Sequence, residues 1–320
     1  MYQLAEDRNS KGKELRMCVV ETIQEMMTYD DKVVALEADL GGASGFTKIQ
    51  ETNPDRFVQC GIAEANMIGV AAGLSITGFK PFIHTFGPFA TRRVFDQMYL
   101  SGAYAKNTIN IYGSDPGFTV GANGGTHTTW EDVALMREIP GAIVCDAADN
   151  VQMEWILKEF AKSEGIHYVR GNRKDVRNVY AKGSEFTLGK GNILKKGSDV
   201  LVVAAGQLVS DALDCAQNLE KENISVEVVD MFTIKPLDGE LLLKEAEGKQ
   251  LVVTFENHSI YGGLGSAVAE VMAEKNVPVP LKRVGAKDCF GQVGTPEFLQ
   301  KEFGLTAEDL AEVIREKITK

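Results

Sequence analysis

A single carboxylate, Glu64, heads an otherwise small, apolar and glycine-spaced stretch, QCGIAEANMIGVAAGLSITG, at residues 59–78. Other residues able to do chemistry lie in the same half of the chain. Asp39 closes the apolar run KVVALEADL, Phe86 and Phe89 stand in HTFGPFATRR, and His127 ends the glycine-rich run DPGFTVGANGGTH. In open α/β sheets ligands bind beyond the carboxyl ends of strands, and all of these residues fall where a strand is expected to end, so one cleft can hold them. Each also has an ordinary reading. Glu64 can simply complement a helix N-terminus, the two phenylalanines can be core, and His127 can be a loop residue tied to a carbonyl.

The elements that must position them follow from the alternation of apolar runs with helical segments. Strands are expected at KVVALEADL, DRFVQC, KPFIHTF, NTINIYGS and GAIVCDA. Helices are expected after DRFVQC and over TRRVFDQMYLSGAYA. Gly69 and Gly73, spaced i and i+4, leave room for another element to approach the first of these helices closely. Such a rhythm indicates a parallel sheet covered on both faces. The rhythm breaks in GNRKDVRNVYAKGSEFTLGKGN, which is rich in Gly, Lys and Arg and has no apolar helical stripe. It then restarts with SDVLVVAAG, SDALDCAQNL, ISVEVVD, QLVVTFEN, GSAVAEVMAEK, VPLKRVG and a charged helix from Thr306. The reading is an α/β protein of two doubly wound domains: residues 10–175, a linker at 176–192, and a smaller domain at 193–320.

Composition limits the function classes. With 320 residues and 44% hydrophobic content the chain suits two globular domains. A net charge of −11 without a basic run disfavours nucleic acid and anionic membranes. The polar start MYQLAEDRNSKGKELRM has no apolar core of a signal peptide and no stretch approaches a membrane span, so a cytoplasmic protein is expected. Five scattered cysteines without a C-x-x-C pair suit buried thiols in a reducing compartment. Four scattered histidines argue against a metal cage.

Taken in order, these stretches resemble the second half of transketolases, in particular the C-terminal subunit of a split, two-chain transketolase. VVALEADL, GIAEANMIGVAAGLSITG, HTFGPFATRRVFDQM and GANGGTHTTWEDVALMREIPG carry the resemblance in the first domain, VEVVDMFTIKPLD and ENHSIYGGLGSAVAE in the second. It covers most of the chain, from about Arg16 to the last helix, and implies a pyrimidine-binding domain followed by a transketolase C-terminal domain. The implied cofactor is thiamine diphosphate, whose thiazolium carbon becomes a nucleophile on losing a proton to the cofactor's own aminopyrimidine. Glu64 then matches the carboxyl that bonds the pyrimidine nitrogen, Phe86 and Phe89 the rings stacked around it, and Asp39 the strand-end acid near the cofactor. His127 matches a histidine at the donor's reacting carbon, and Arg16 and Arg170 match arginines that grip the substrate's terminal phosphate, with Arg173 and Arg177 as neighbouring candidates for the place of Arg170. Two positions depart from the pattern. Asn123 stands where an acid usually reads a substrate hydroxyl, and Asp115 where a phosphate-binding histidine is usual, so either the donor is a ketose other than the usual sugar phosphate or its phosphate or other anionic end binds elsewhere.

Transketolases hold the diphosphate through Mg²⁺ or Ca²⁺ with a Gly-Asp-Gly stretch and a more distant Asn, and no such stretch occurs here. The resemblance therefore implies a partner chain that carries the diphosphate domain and the metal, with two such pairs forming a heterotetramer. The expected activity is transfer of a two-carbon ketol unit from a ketose to an aldose. Two alternatives share the fold. One is the beta subunit of a 2-oxo acid dehydrogenase first component, against which THTTWEDVALMREIPG, with Glu131 and Arg137, speaks. The other is a noncatalytic regulatory subunit, which has no need for Glu64, Phe86, Phe89 and His127 together.

Overall fold

The computed structural model describes residues 1–318, so residues 319 and 320, the end of the expected second domain, lie outside the described residues. Its framework is two sheets with helices packed on them. Strands β1 (Val33–Glu37), β2 (Phe57–Gln59), β3 (Lys80–Phe86), β4 (Ile109–Ser114), β5 (Ile143–Asp146) and β6 (Ile166–Gly171) pair in parallel. The second sheet holds β7 (Asn192–Lys195), β8 (Val200–Ala204) and β9 (Val226–Asp230). After the short β10 (Thr233–Lys235), β11 (Leu251–Ser259) and β12 (Leu281–Ala286) complete it in the order β12-β11-β8-β9-β7. The expected α/β architecture of two doubly wound sheets is present. Strands β1, β4, β6, β8 and β9 are buried at every position, as parallel strands covered on both faces must be.

The sheets are less separate than the sequence suggests. β10 follows β9 in the chain but pairs antiparallel with β5, at the edge of the first sheet, whose order is β10-β5-β6-β4-β3-β1-β2. The segment between the sheets is packed down as well. Leu4 and Lys11 of the N-terminal segment form bridges to Tyr180 and Arg177, and the buried Asp149 carboxylate accepts from the Val179 and Tyr180 amides at 2.8 and 2.7 Å. The expected helix after Phe89 is also different: a short turn at Phe95–Gln97 opens into a π-helix over Met98–Tyr104. Gly102 lies within it against β6, and an added Cβ would meet Ile166 Cδ1 at 2.8 Å.

At the junction of the sheets sits Asp230, whose Oδ2 accepts from Gln152 Nε2 at 2.7 Å and from Tyr180 Oη at 2.5 Å while Oδ1 has no partner among the described residues. Burial pushes its pKa up to about 7, and that of Glu256 in β11 likewise to about 7. Folded, these acids keep protons that the unfolded chain releases near its ordinary carboxylate values. Their stabilisation is therefore complete below those values and lost as pH rises through 7. Buried His167 and His258, pulled down to about 4, act oppositely, but only below the ordinary histidine value of 6.5. The melting temperature is thus expected to fall as pH rises from 6.5 through 7 and to level off by pH 8, the larger part of the carboxylate effect lying below that range, and Asp230→Asn to remove part of that fall. A melting temperature that is flat over this range, with or without the substitution, contradicts the assignment.

No helix among the described residues is long and apolar enough to cross a membrane. Cys18, Cys145 and Cys215 are buried, Cys60 is half-buried, and Cys289 is exposed.

Candidate active site

The carboxyl ends of β1, β3 and β4 are locked together from below. The Glu37 carboxylate lies 3.0 Å from His84 Nδ1, and His84 Nε2 lies 2.9 Å from Ser114 Oγ. Acid, histidine and serine in line suggest a hydrolase relay, but all three are wholly buried, so no substrate reaches Ser114. What the relay does is hold three strand ends in register. Immediately beyond them the backbone turns left-handed at two acids, Asp39 with φ 61° and Asp115 with φ 54°, a conformation uncommon outside glycine but tolerated by Asp and Asn.

Above these ends the site residues form a continuous row of contacts. Glu64 opens the helix Glu64–Ile76, its side chain almost fully buried, and its Oε1 accepts from Arg93 Nη1 at 2.6 Å. The Arg93 guanidinium lies 3.8 Å from the centre of the Phe89 ring. Phe89 and Phe86 both meet His127 edge-on, at 5.2 and 5.8 Å, and lie 6.1 Å from one another. Phe86 in turn carries the guanidinium of Arg173 at 4.7 Å, and Arg173 is ion-paired through Nε to Asp115. Burial pushes the Asp115 pKa up, while Arg173 pulls it back down.

The second domain sets the loop that supplies His127. Asn257 of β11 accepts from the Phe118 amide at 3.1 Å and donates to the Pro116 carbonyl at 2.9 Å. Gly117, at φ 56°, has no room for a side chain, since a Cβ would collide with Asn257 Oδ1. Gly125 is closed in equally, by the Gly291 carbonyl. Arg137 ties the domains from the other side, bonding the Gly262 carbonyl at 2.7 Å and Glu270 at 2.5 Å, and Glu131 holds Arg92 at 2.7 Å.

Of the residues expected from sequence, Glu64, Phe86, Phe89 and His127 come together. Arg16 is joined to the row through its backbone, its amide donating to the Arg173 carbonyl at 3.3 Å. Its side chain is turned to Glu14 at 2.7 Å and to the Ala43 carbonyl at 3.0 Å. Asp39 and Asn123 are exposed, the first with its amide on Gln59 at 2.9 Å. Arg170 is not brought to the row. Its side chain has 0% exposure, Nη1 donates to Asp132 at 3.0 Å, Nη2 to the Asn257 carbonyl at 2.5 Å, and Nε lies 3.5 Å from Asp146. With no face left for a substrate, it is a buried ion pair within the first domain that also bonds the Asn257 carbonyl of the second, and the expectation of a phosphate grip gives way. Arg93 is a residue that sequence reading passes over, although an arginine close to an aromatic position is a signal for stacking of this kind; Arg173, a neighbour of Arg170 in the same run, is the arginine that lies at the row instead.

Two family models match the chain, the pyrimidine-binding domain of transketolase over residues 11–179 and the C-terminal domain of transketolase over residues 189–310. The chain belongs to the transketolase family. It is 45% identical over 302 residues to the 6-deoxy-6-sulfo-D-fructose transketolase subunit SqwH of Clostridium sp. strain MSTE9, covering 94% of both chains. It is 33% identical over 309 residues to an apulose-4-phosphate transketolase subunit of Phocaeicola vulgatus, covering 95% of this chain and 97% of that one. Its fold matches a solved split-gene transketolase described as an inactive beta4 tetramer, with a TM-score of 0.87, 39% identity and coverage of 96% and 99%.

Transketolases depend on thiamine diphosphate, and the row suits one end of that cofactor. A nearly buried carboxylate linked through Arg93 to a pair of phenylalanine rings offers a ring-nitrogen contact and stacking to an aminopyrimidine. Among the described residues no three His, Cys, Asp or Glu side chains gather as a metal-ligating set. Gly69 and Gly73 sit on the open side of the Glu64 helix, where nothing among the described residues comes within 4 Å of an added Cβ, and Ile62 and Ile76 flank them exposed.

Proposed function

We infer that this chain is the pyrimidine-binding subunit of a two-chain transketolase, which moves a two-carbon ketol unit from an anion-terminated ketose to an aldose. The observation that carries the reading is the contact row from Glu64 through Phe89 and His127 to Phe86. Thiamine diphosphate, when bound, supplies the nucleophilic carbon. Glu64 holds the pyrimidine nitrogen and shares a proton with it, and Phe86 and Phe89 fix the ring plane and keep water from it. His127, against both rings, donates to oxygen atoms of the donor near the reacting carbon. Asp39 and Asn123, exposed at the same strand-end face, meet the cofactor region and a substrate hydroxyl once the partner chain closes over them.

The partner holds the diphosphate and its Mg²⁺ or Ca²⁺, for which this chain has neither the sequence stretch nor, among the described residues, a donor set. The open glycine side of the Glu64 helix and its exposed isoleucines give that assembly an apolar surface beside the site. An anion-terminated donor accords with the 45% identical relative, whose name specifies a sulfonated ketose, and with the guanidinium of Arg173 at the end of the row. A 2-oxo acid dehydrogenase subunit fits less well, because Arg137, which carries the transketolase pattern together with Glu131, also joins the two domains.

Purified alone, the chain is expected to fold, to bind thiamine diphosphate weakly and to turn over no ketose, in line with the solved relative described as an inactive beta4 tetramer. Turnover by the isolated chain, with a partner rigorously excluded, refutes the two-chain reading.

A further inference from the structure

We propose that Arg173, held by Asp115 and laid on the Phe86 ring, selects the donor ketose by the charge of its far end, favouring a singly charged terminus such as a sulfonate over a phosphate dianion. The proposal rests on the ketol-transfer reading above and names the residue pair that sets its substrate class. Three features carry it.

The first is the way the guanidinium is held. Asp115 Oδ1 accepts the Arg173 amide at 2.9 Å and Oδ2 accepts Nε. With both oxygens accepting, Asp115 stands as a carboxylate. Among the described residues the two terminal amino groups of Arg173 make no hydrogen bond, and the side chain keeps 20% exposure. A planar fork fixed on one edge and free on the other suits two oxygens of a tetrahedral oxyanion.

The second feature is the local charge. Besides Arg173 and Asp115, this end of the row contains Arg16, paired with Glu14 at 2.7 Å, and Lys174, 3.3 Å from the same carboxylate. Three cations and two carboxylates leave a single net positive charge, which a sulfonate matches. A phosphate ester, whose second proton leaves near pH 6, brings about two negative charges at pH 7.5, and the surplus one faces Asp115. In a partly buried site that repulsion is worth about ten-fold in affinity or more.

The third is the position. Phe86 touches both His127, at 5.8 Å, and Arg173, at 4.7 Å. A ketose with its reacting carbon near His127 thus has Arg173 within reach of its other end.

The test uses the assembled enzyme, this chain with its diphosphate-binding partner, thiamine diphosphate and a divalent cation. It compares kcat and KM at pH 7.5 for a sulfonate-terminated ketose, its phosphate-terminated counterpart and uncharged erythrulose. The wild type is expected to prefer the sulfonate. Asp115→Asn, safe at a left-handed position, should shift the ratio of kcat/KM towards phosphate by about ten-fold. Arg173→Ala should raise KM for both charged donors by about ten-fold or more beyond its effect on erythrulose. Arg173→Lys, which keeps the charge and loses the fork, should fall between and serves if the alanine variant fails to assemble. A ratio unmoved by Asp115→Asn, or KM changes equal for all three donors, overturns the proposal while leaving ketol transfer in place. No transfer from any donor by the wild-type pair overturns the functional reading itself.

Discussion

Glu64→Gln in the assembled enzyme is expected to lower turnover by roughly 10²-fold or more, the loss typical of removing a positioned proton-sharing group, while folding and assembly stay close to wild type. Glutamine keeps the shape and can still accept from Arg93 through its amide oxygen, so the helix Glu64–Ile76 and the Arg93 stack on Phe89 should persist. What it cannot do is share a proton with a ring nitrogen. The change should appear in kcat far more than in KM, because it removes an interaction used in the chemical step. Turnover at the wild-type rate would mean that Glu64 merely complements the positive end of its helix and pairs with Arg93.

The second large effect concerns Arg170, and it is an effect on stability. Its guanidinium sits at zero exposure between Asp132 and Asp146 and reaches the Asn257 carbonyl across the domain junction. Burial pushes Asp146 up to about 6 even with Arg170 beside it. Arg170→Ala removes the only cation these two acids are paired with among the described residues, histidine contacts aside, and leaves Tyr168, which donates to Asp132 at 2.7 Å, on an uncompensated site. The expected cost is about 3–5 kcal/mol of unfolding free energy, as for other buried pairs broken by removing one partner. Denaturant unfolding of the purified chain measures it. A variant of wild-type stability whose only defect is a higher KM for charged donors would return Arg170 to the substrate.

Much of the fold is legible in the sequence because parallel strands buried on both faces are written as continuous apolar runs, as in VVALE, VLVVA and VEVVD. β6 escapes that signal. It is buried throughout yet reads IHYVRG, because His167 and Arg170 find partners, Asn110 at 2.7 Å and Asp132 at 3.0 Å, that only the folded chain supplies. β10 is three residues long and joins a sheet that its neighbours in sequence do not belong to, a choice made by tertiary packing. The same distinction divides the site. Glu64, Phe86, Phe89 and His127 sit at strand ends and in one loop, where topology brings them together. Arg93 and Arg173 take their places from ring contacts and ion pairs that no local pattern records. Arg170 and Arg173, three residues apart in one polar run, are told apart only by burial.

The central claim is that this chain completes a transketolase by supplying the pyrimidine side of its cofactor site. Its most direct test is ketol transfer by the purified pair, this chain mixed in increasing ratio with a partner carrying the diphosphate domain, given thiamine diphosphate, Mg²⁺, a sulfonate-terminated ketose and an aldose acceptor. The two-carbon-extended product should appear only when both chains are present, rise to a plateau at equal amounts, and form roughly 10²-fold more slowly or worse when Glu64→Gln replaces the wild type. Product formed by the partner alone, or at the same rate with Glu64→Gln, would contradict that claim.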